Sequence, residues 1–208
     1  IQLIDAHGAG RRRVAIHVRR ADGKTTAGFM AARSHRLVDI DRCPILVPAL
    51  DDAMQIGRAI AEAAGNADVW ITVCDTGLDV AVKAKRKQAE ISLPKLTAVA
   101  VERRLARLSL NGEVLLARAQ PTVRMGKAAV AVPPGAFLQA TELGEEVLSK
   151  LVLEAVAKAK HVADLFCGLG PFTFRIAEQA RVAAFDSDKA AITALQAAVK
   201  AVQGLKPI

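Results

Sequence analysis

Between residues 11 and 20 the chain alternates apolar and polar positions around Val14, Ile16 and Val18, which is the period-two signature of a half-buried strand. Gly23 and Lys24 then mark a turn, and a second strand is expected near Gly28 to Ala32. Pro48 to Ala64 reads as a helix, with Pro48 near its start, Asp51 and Asp52 in the first turn and Gly65 just past the end. Val69 to Cys74 is an apolar strand. The clearest hairpin joins Leu105–Leu110 to Glu113–Arg118 through Asn111-Gly112, a pair that supplies the two positive φ angles of a type I′ turn.

Pro133-Pro134-Gly135 interrupts this pattern. Beyond it the expected order is a helix from Thr141 to about Lys158, a strand from Val162 to Phe166 and a glycine-rich turn. A helix over 171–179, a strand over 182–185 and a helix from Asp188 follow. The chain is therefore α/β: a basic α+β domain over 1–134, then over 135–208 the beginning of a doubly wound, Rossmann-like sheet. That sheet stops after two strands, and no internal repeat is present. An opening Ile1 and so short a sheet lead us to read the chain as a piece of a longer protein.

Composition adds three constraints. At 52% hydrophobic and 24% charged residues, the chain is that of a globular protein, and its Ala- and Val-rich, aromatic-poor content favours helix-on-sheet packing. Its apolar runs are far shorter than the roughly 18 residues a membrane span needs, and no secretory signal opens it. Three scattered cysteines, Cys43, Cys74 and Cys167, suit a reducing cytoplasm better than a disulfide framework.

The net charge of +8 is unevenly placed. Residues 1–130 hold 21 Lys and Arg against 13 Asp and Glu, whereas residues 131–208 hold eight of each. A basic half suits a polyanionic partner, because each phosphate contact releases condensed counterions; it also suits simple solubility. Arg11, Arg12, Arg13, Arg33, Arg36 and Arg42 are the phosphate-contact candidates. The run Lys83, Lys85, Arg86, Lys87 reads as a solvated loop. One Trp and no Tyr argue against a base-stacking platform. The four histidines lack metal-ligand spacing.

The chemistry-bearing segment is Asp164-Leu-Phe166-Cys-Gly168-Leu-Gly170-Pro-Phe172. Asp164 closes a buried strand, and the two glycines let the backbone turn and approach a ligand that a Cβ would block. The next strand ends at Asp186, where a carboxylate can accept hydrogen bonds from a ribose diol. A dinucleotide fingerprint would place glycine at Thr173. An acidic residue four positions before the first glycine points instead to S-adenosylmethionine, with Asp164 orienting the loop or meeting the ammonium. A tight strand–helix turn with no ligand is the bland alternative.

Here the sequence resembles a known family. Asp164 to Phe172 is similar to the Asp-Leu-Phe-Cys-Gly-x-Gly-x-Phe signature of the 5-methyluridine RNA methyltransferases. Phe137-Leu-Gln139-Ala-Thr141 resembles the family's Phe-x-Gln-x-Asn, and Val38-Asp-Ile-Asp-Arg-Cys43-Pro-Ile-Leu46 resembles a stretch of its central domain. The resemblance spans nearly the whole chain. It implies that Gln139, Phe166 and Asp186 contact S-adenosylmethionine, that ribosomal or transfer RNA is the partner, and that the residues over 135–208 open the catalytic domain. Two departures stand out: Pro171 replaces a polar residue, and Thr141 replaces Asn.

The resemblance also implies what this chain lacks. In the family a cysteine thiolate adds to carbon 6 of uracil, and a Glu helps remove the proton from carbon 5 once the flipped base is methylated. Both lie downstream of the second strand, so no catalytic residue is expected here and this chain alone should not methylate RNA. Cys167, inside the cofactor loop, is a poor nucleophile candidate. In a subset of the family the residue matching Cys43 is the fourth ligand of an iron–sulfur cluster, the others coming from a Cys-x5-Cys-x2-Cys run absent here. Two alternatives remain: a methyltransferase of this fold with another substrate, and a basic RNA-binding module with a degenerate cofactor fold.

Overall fold

The computed structural model describes residues 10–85 and 90–208. Arg86, Lys87 and His7 lie outside the described residues. The chain divides between Gln120 and Pro121 into two compact units. That division falls ahead of the expected boundary at 134. Its cause is a hairpin of β8 (Thr122–Met125) and β9 (Ala128–Ala131), which packs against α5 (Lys189–Ala201) and so joins the later unit.

The earlier unit is built on one seven-stranded mixed sheet in the order β3-β2-β1-β4-β5-β6-β7. Its strands are β1 (Arg13–Ala21), β2 (Lys24–Met30), β3 (Leu37–Asp39), β4 (Ala67–Cys74), β5 (Gly77–Ala84), β6 (Arg107–Leu110) and β7 (Glu113–Ala117). All neighbours are antiparallel except β5 and β6, whose parallel crossover carries α2 (Leu93–Glu102). Val14, Ile16 and Val18 of β1 point to one face, as the alternation requires. There they meet Val69 and Ile71 of β4 and the buried stripe of α1 (Ala53–Ala64), including Ile56 and Ile60. Burying these branched side chains stabilises the unit by roughly 1.5–3 kcal/mol each.

The expected helix over 48–64 is broken at its first turn. Pro48–Leu50 forms a short 3-10 turn, and the α-helix begins at Ala53. Gly65, at φ +74°, ends it. The Asn111-Gly112 hairpin forms as expected, both residues at positive φ.

The later unit adds α3 (Glu142–Ala155), β10 (His161–Leu165), α4 (Thr173–Ile176), β11 (Arg181–Phe185) and α5. β10 and β11 pair in parallel, Asp164 beside Ala184. The helix expected over 171–179 is a single α-turn followed by turns, because the loop geometry through Pro171 delays its start to Thr173. One side of the strand pair packs Val162 and Val182 against Ile176, Ala177 and Ala180. On the other side Leu165 and Phe185 are more than half exposed, an unusual state for parallel strands, which are ordinarily covered on both faces.

Candidate functional site

The loop after β10 is held by carboxylates from both strands. Asp186, just past β11, accepts from the Gly168 amide through Oδ2 at 2.7 Å and from the Asp188 amide through Oδ1 at 2.8 Å. Those two backbone donors, Asp188 first, hold its carboxyl below the usual carboxylate range. Each oxygen keeps a lone pair for a further donor. Asp188 caps α5 by accepting from the Ala190 and Ala191 amides. The Cys167 amide donates to the Phe185 carbonyl at 3.0 Å, tying the loop to the neighbouring strand.

A cavity of about 220 Å³ opens beside this loop. Gln139, Phe166, Gly168 and Asp186 line it together, with Phe137, Pro171 and Phe172. Four of the six residues expected to bind a cofactor thus share one wall system. The other two stand behind it. Asp164 accepts from the Thr173 hydroxyl at 2.5 Å, so its carboxylate ties β10 to the start of α4. Gly170, at φ +88°, is pressed against Leu195 and Phe174. Gly168, at φ +54°, has open space where a Cβ would stand. Phe166, itself at φ +63°, is 87% exposed.

The charge of the cavity wall narrows the ligand. Glu145, Asp186 and Asp188 line it, and no Lys or Arg does. Arg175 is not among the lining residues but is bonded to two of them, donating to the Pro171 carbonyl at 2.5 Å and pairing with Glu145 at 3.0 Å. Among the described residues, the uncompensated carboxylates of the wall are therefore Asp186 and Asp188. A pyrophosphate would meet carboxylates here and no cation. A sulfonium and an ammonium would be stabilised. Thr141 has a structural duty that Asn performs equally well: its hydroxyl accepts from the Gly144 amide at 3.0 Å and caps α3.

Sequence reasoning had no signal for Glu145, whose burial and pairing with Arg175 only the folded helix reveals. Cys167 is buried beside the cavity, and burial, then Asp164 and Asp186, push its thiol up to about 11. Cys74 is likewise buried and pushed up to about 12 by burial, then by Asp79. Cys43 is half-buried in a loop, its carbonyl accepting from the Leu46 amide. No three His, Cys, Asp or Glu among the described residues are grouped to hold a metal ion. One thiolate does not make the donor set of a cluster. Of the phosphate-contact candidates, Arg12 is buried and Arg42 is engaged with both oxygens of Asp51. Arg11, Arg33 and Arg36 are exposed.

The chain is 41% identical over 99% of its length to an uncharacterized RNA methyltransferase of Brucella suis biovar 1, and 40% identical over 99% to one of Rhizobium meliloti. Its homologues are RNA methyltransferases by name. A further relative, 25% identical over 81% of the chain, is named 23S rRNA (uracil(1939)-C(5))-methyltransferase RlmD, from Shewanella sediminis. The chain spans about half the length of the Brucella and Rhizobium relatives, 51% of each. No family model matches it. Among solved structures, the tRNA (uracil-54, C5)-methyltransferase of Pyrococcus abyssi, in complex with S-adenosyl-L-homocysteine, superposes with a TM-score of 0.75. It covers 96% of this chain and 53% of its own at 18% identity, which establishes a shared fold. No helix among the described residues is long and apolar enough to cross a membrane.

Proposed function

We propose that this chain is the cofactor-binding part of an RNA methyltransferase that modifies carbon 5 of a uridine in ribosomal or transfer RNA. The observation that carries the reading is the cavity wall: the carboxylates of Asp186 and Asp188, which no cation pairs among the described residues, three phenylalanines (Phe137, Phe166 and Phe172) and a glycine with room above it, with no Lys or Arg in the lining. S-adenosylmethionine, when bound, supplies an electrophilic methyl group. Asp186 would hold the ribose hydroxyls with its remaining lone pairs, Gly168 would let the ligand approach the backbone, and Gln139 and Phe166 would complete the wall. Asp164 and Gly170 shape the loop from behind.

The nucleophile and the base would come from outside these 208 residues. Cys167 and Cys74 are unsuited, since thiols with pKa near 11 and 12 hold almost no thiolate at neutral pH. The exposed face of β10 and β11, with Leu165 and Phe185, is where helices of the parent's doubly wound domain would lie, while further strands would add at the edges of the pair. Cys43 would serve as one ligand of a cluster only where the parent supplies three more thiolates.

Calorimetry decides between this reading and a degenerate RNA-binding module. S-adenosylmethionine should bind the parent protein, and Asp186→Ala should weaken it at least tenfold. Absence of binding by the unaltered protein would favour the module.

A further inference from the structure

Both helices of the earlier unit pack on one face of its sheet. The opposite face carries the only tryptophan of the chain. Trp70, in the middle of β4, stands opposite Ala15 of β1 on one side and Ala81 of β5 on the other. The next row across the sheet is Gly28, His17, Asp68 and Lys83, and the one after it sets Arg19 opposite Thr26. All are side chains of alternate positions, so they share the face with Trp70.

An indole that served packing alone would ordinarily be flanked by branched or aromatic cross-strand partners. Trp70 has a methyl on each side, Ala15 exposed and Ala81 half-buried. Its ring is half-buried, and its N–H has no acceptor among the described residues, yet it is not an orphaned buried donor. On one side of Trp70 the row is Arg13, Thr72, Asp79 and Arg107, where Thr72, Asp79 and Arg107 are buried and Asp79 is paired with Arg107. The open part of the face runs the other way, toward His17, Asp68 and Lys83. Asp68 is the only carboxylate in the two rows beyond Trp70; it is met by His17 at 2.7 Å and by Arg19 at 3.7 Å. Lys83, opposite Asp68, is exposed. Residues 1–120 as a whole hold 19 Lys and Arg against 13 Asp and Glu.

One indole is not the multi-base platform that the composition argues against, but a flat aromatic ring with small neighbours and cations one row away has the chemistry that takes a single unpaired base and its phosphates. We propose that this sheet face binds a single-stranded segment of RNA, one base lying on the Trp70 indole and Lys83 beside an adjacent phosphate. The proposal deepens the RNA-substrate reading above and rests on it. A duplex offers no free base face, so the partner is a strand, a loop or a splayed end.

With one Trp and no Tyr, the chain's own emission reports this face alone. Labelled single-stranded RNA of roughly 12 nucleotides, within the usual site sizes, is titrated while label anisotropy and Trp70 emission are followed together. Single strands should quench the emission in step with binding, and a duplex of equal length should not. Trp70→Ala should weaken single-strand binding roughly 5- to 150-fold, the range of one lost base stack, and Trp70→Phe should restore most of it. Binding without any change in Trp70 emission, or equal binding of strand and duplex, overturns the proposal even if the alanine variant fails to fold. If the unaltered protein binds no RNA of either form, the RNA-substrate reading itself falls.

Discussion

The two glycines of the loop should fail in different ways when given a side chain. Gly168→Ala places a methyl in open space at φ +54°, a left-handed conformation that costs an L-residue about 1–2 kcal/mol. Gly170→Ala carries the same backbone cost at φ +88° and adds a collision. Its Cβ would stand 2.9 Å from Leu195 Cδ1 and 3.0 and 3.1 Å from the Phe174 ring. Phe174 is fully buried and Leu195 nearly so, which leaves neither much room to retreat. Overpacking of that kind costs about 1–3 kcal/mol, so Gly170→Ala should lose about 2–5 kcal/mol in all. Trp70 lies in the other unit and is blind to this change, so the assay is native-state hydrogen exchange at the α5 amides. Gly170→Ala should speed exchange there far more than Gly168→Ala does. Gly168→Ala should instead weaken S-adenosylmethionine, because its methyl enters the space above the loop. Equal protection in both variants, or greater loss in Gly168→Ala, would refute the assignment of one glycine to packing and the other to ligand approach.

Three further outcomes follow from the same geometry. Arg107 and Asp79 form a buried two-pronged pair at 2.8 and 2.7 Å, so Arg107→Met alone should cost about 3–5 kcal/mol in urea unfolding, while Arg107→Met with Asp79→Leu should recover most of it. Asp186 is held ionised by the Asp188 and Gly168 amides. Its folded pKa lies below the unfolded value near 4, so its contribution is whole above that pH and is lost as pH falls through the lower, folded pKa. Gly168 amide protection should fall over that acid window, and Asp186→Asn should abolish the step. Mass spectrometry after brief iodoacetamide treatment at pH 7 should find Cys43 modified first, since Cys74 and Cys167 are buried with thiols near 12 and 11.

Local patterns were the legible part of the fold. The alternation around Val14, Ile16 and Val18, the Asn111-Gly112 turn and the glycine cap at Gly65 each state their structure within a few residues. The elements sequence reasoning did not assign carry weaker local signals or depend on distant partners. β5 is apolar in the middle but ends in Lys83, and its eight-residue pairing with β4 is a local hairpin across Asp75-Thr76, a turn without the Asn-Gly or Asp-Gly signal. α2 carries Pro94 in its first turn and shows its buried side, Leu96 and Ala100, only once the parallel crossover places it over the sheet. The hairpin of β8 and β9 reads as the end of the basic half, yet its packing on α5 assigns it to the later unit. The candidate site divides the same way. Spacing brought Asp164, Gly168, Gly170 and Asp186 to one loop, but spacing does not say which side of the loop each side chain serves.

The two units differ in charge in the way that the proposed RNA and S-adenosylmethionine sites would require. Nucleic acid is drawn by accumulated positive charge, whereas S-adenosylmethionine carries a sulfonium and an ammonium against one carboxylate. A strongly basic cavity would favour the polyanion and repel the cofactor. Residues 121–208 hold ten Lys and Arg against eight Asp and Glu, and the cavity itself is walled by Glu145, Asp186 and Asp188. Arg175 is bonded to two residues of that wall, the Pro171 carbonyl and the Glu145 carboxylate, so its charge is offset by Glu145 and the wall's net negative charge comes from Asp186 and Asp188. The excess charge is left to residues 1–120, where Trp70 adds what charge alone lacks. Phosphate attraction is blind to whether bases are paired, whereas the proposed stacking on the half-buried Trp70 indole would not be.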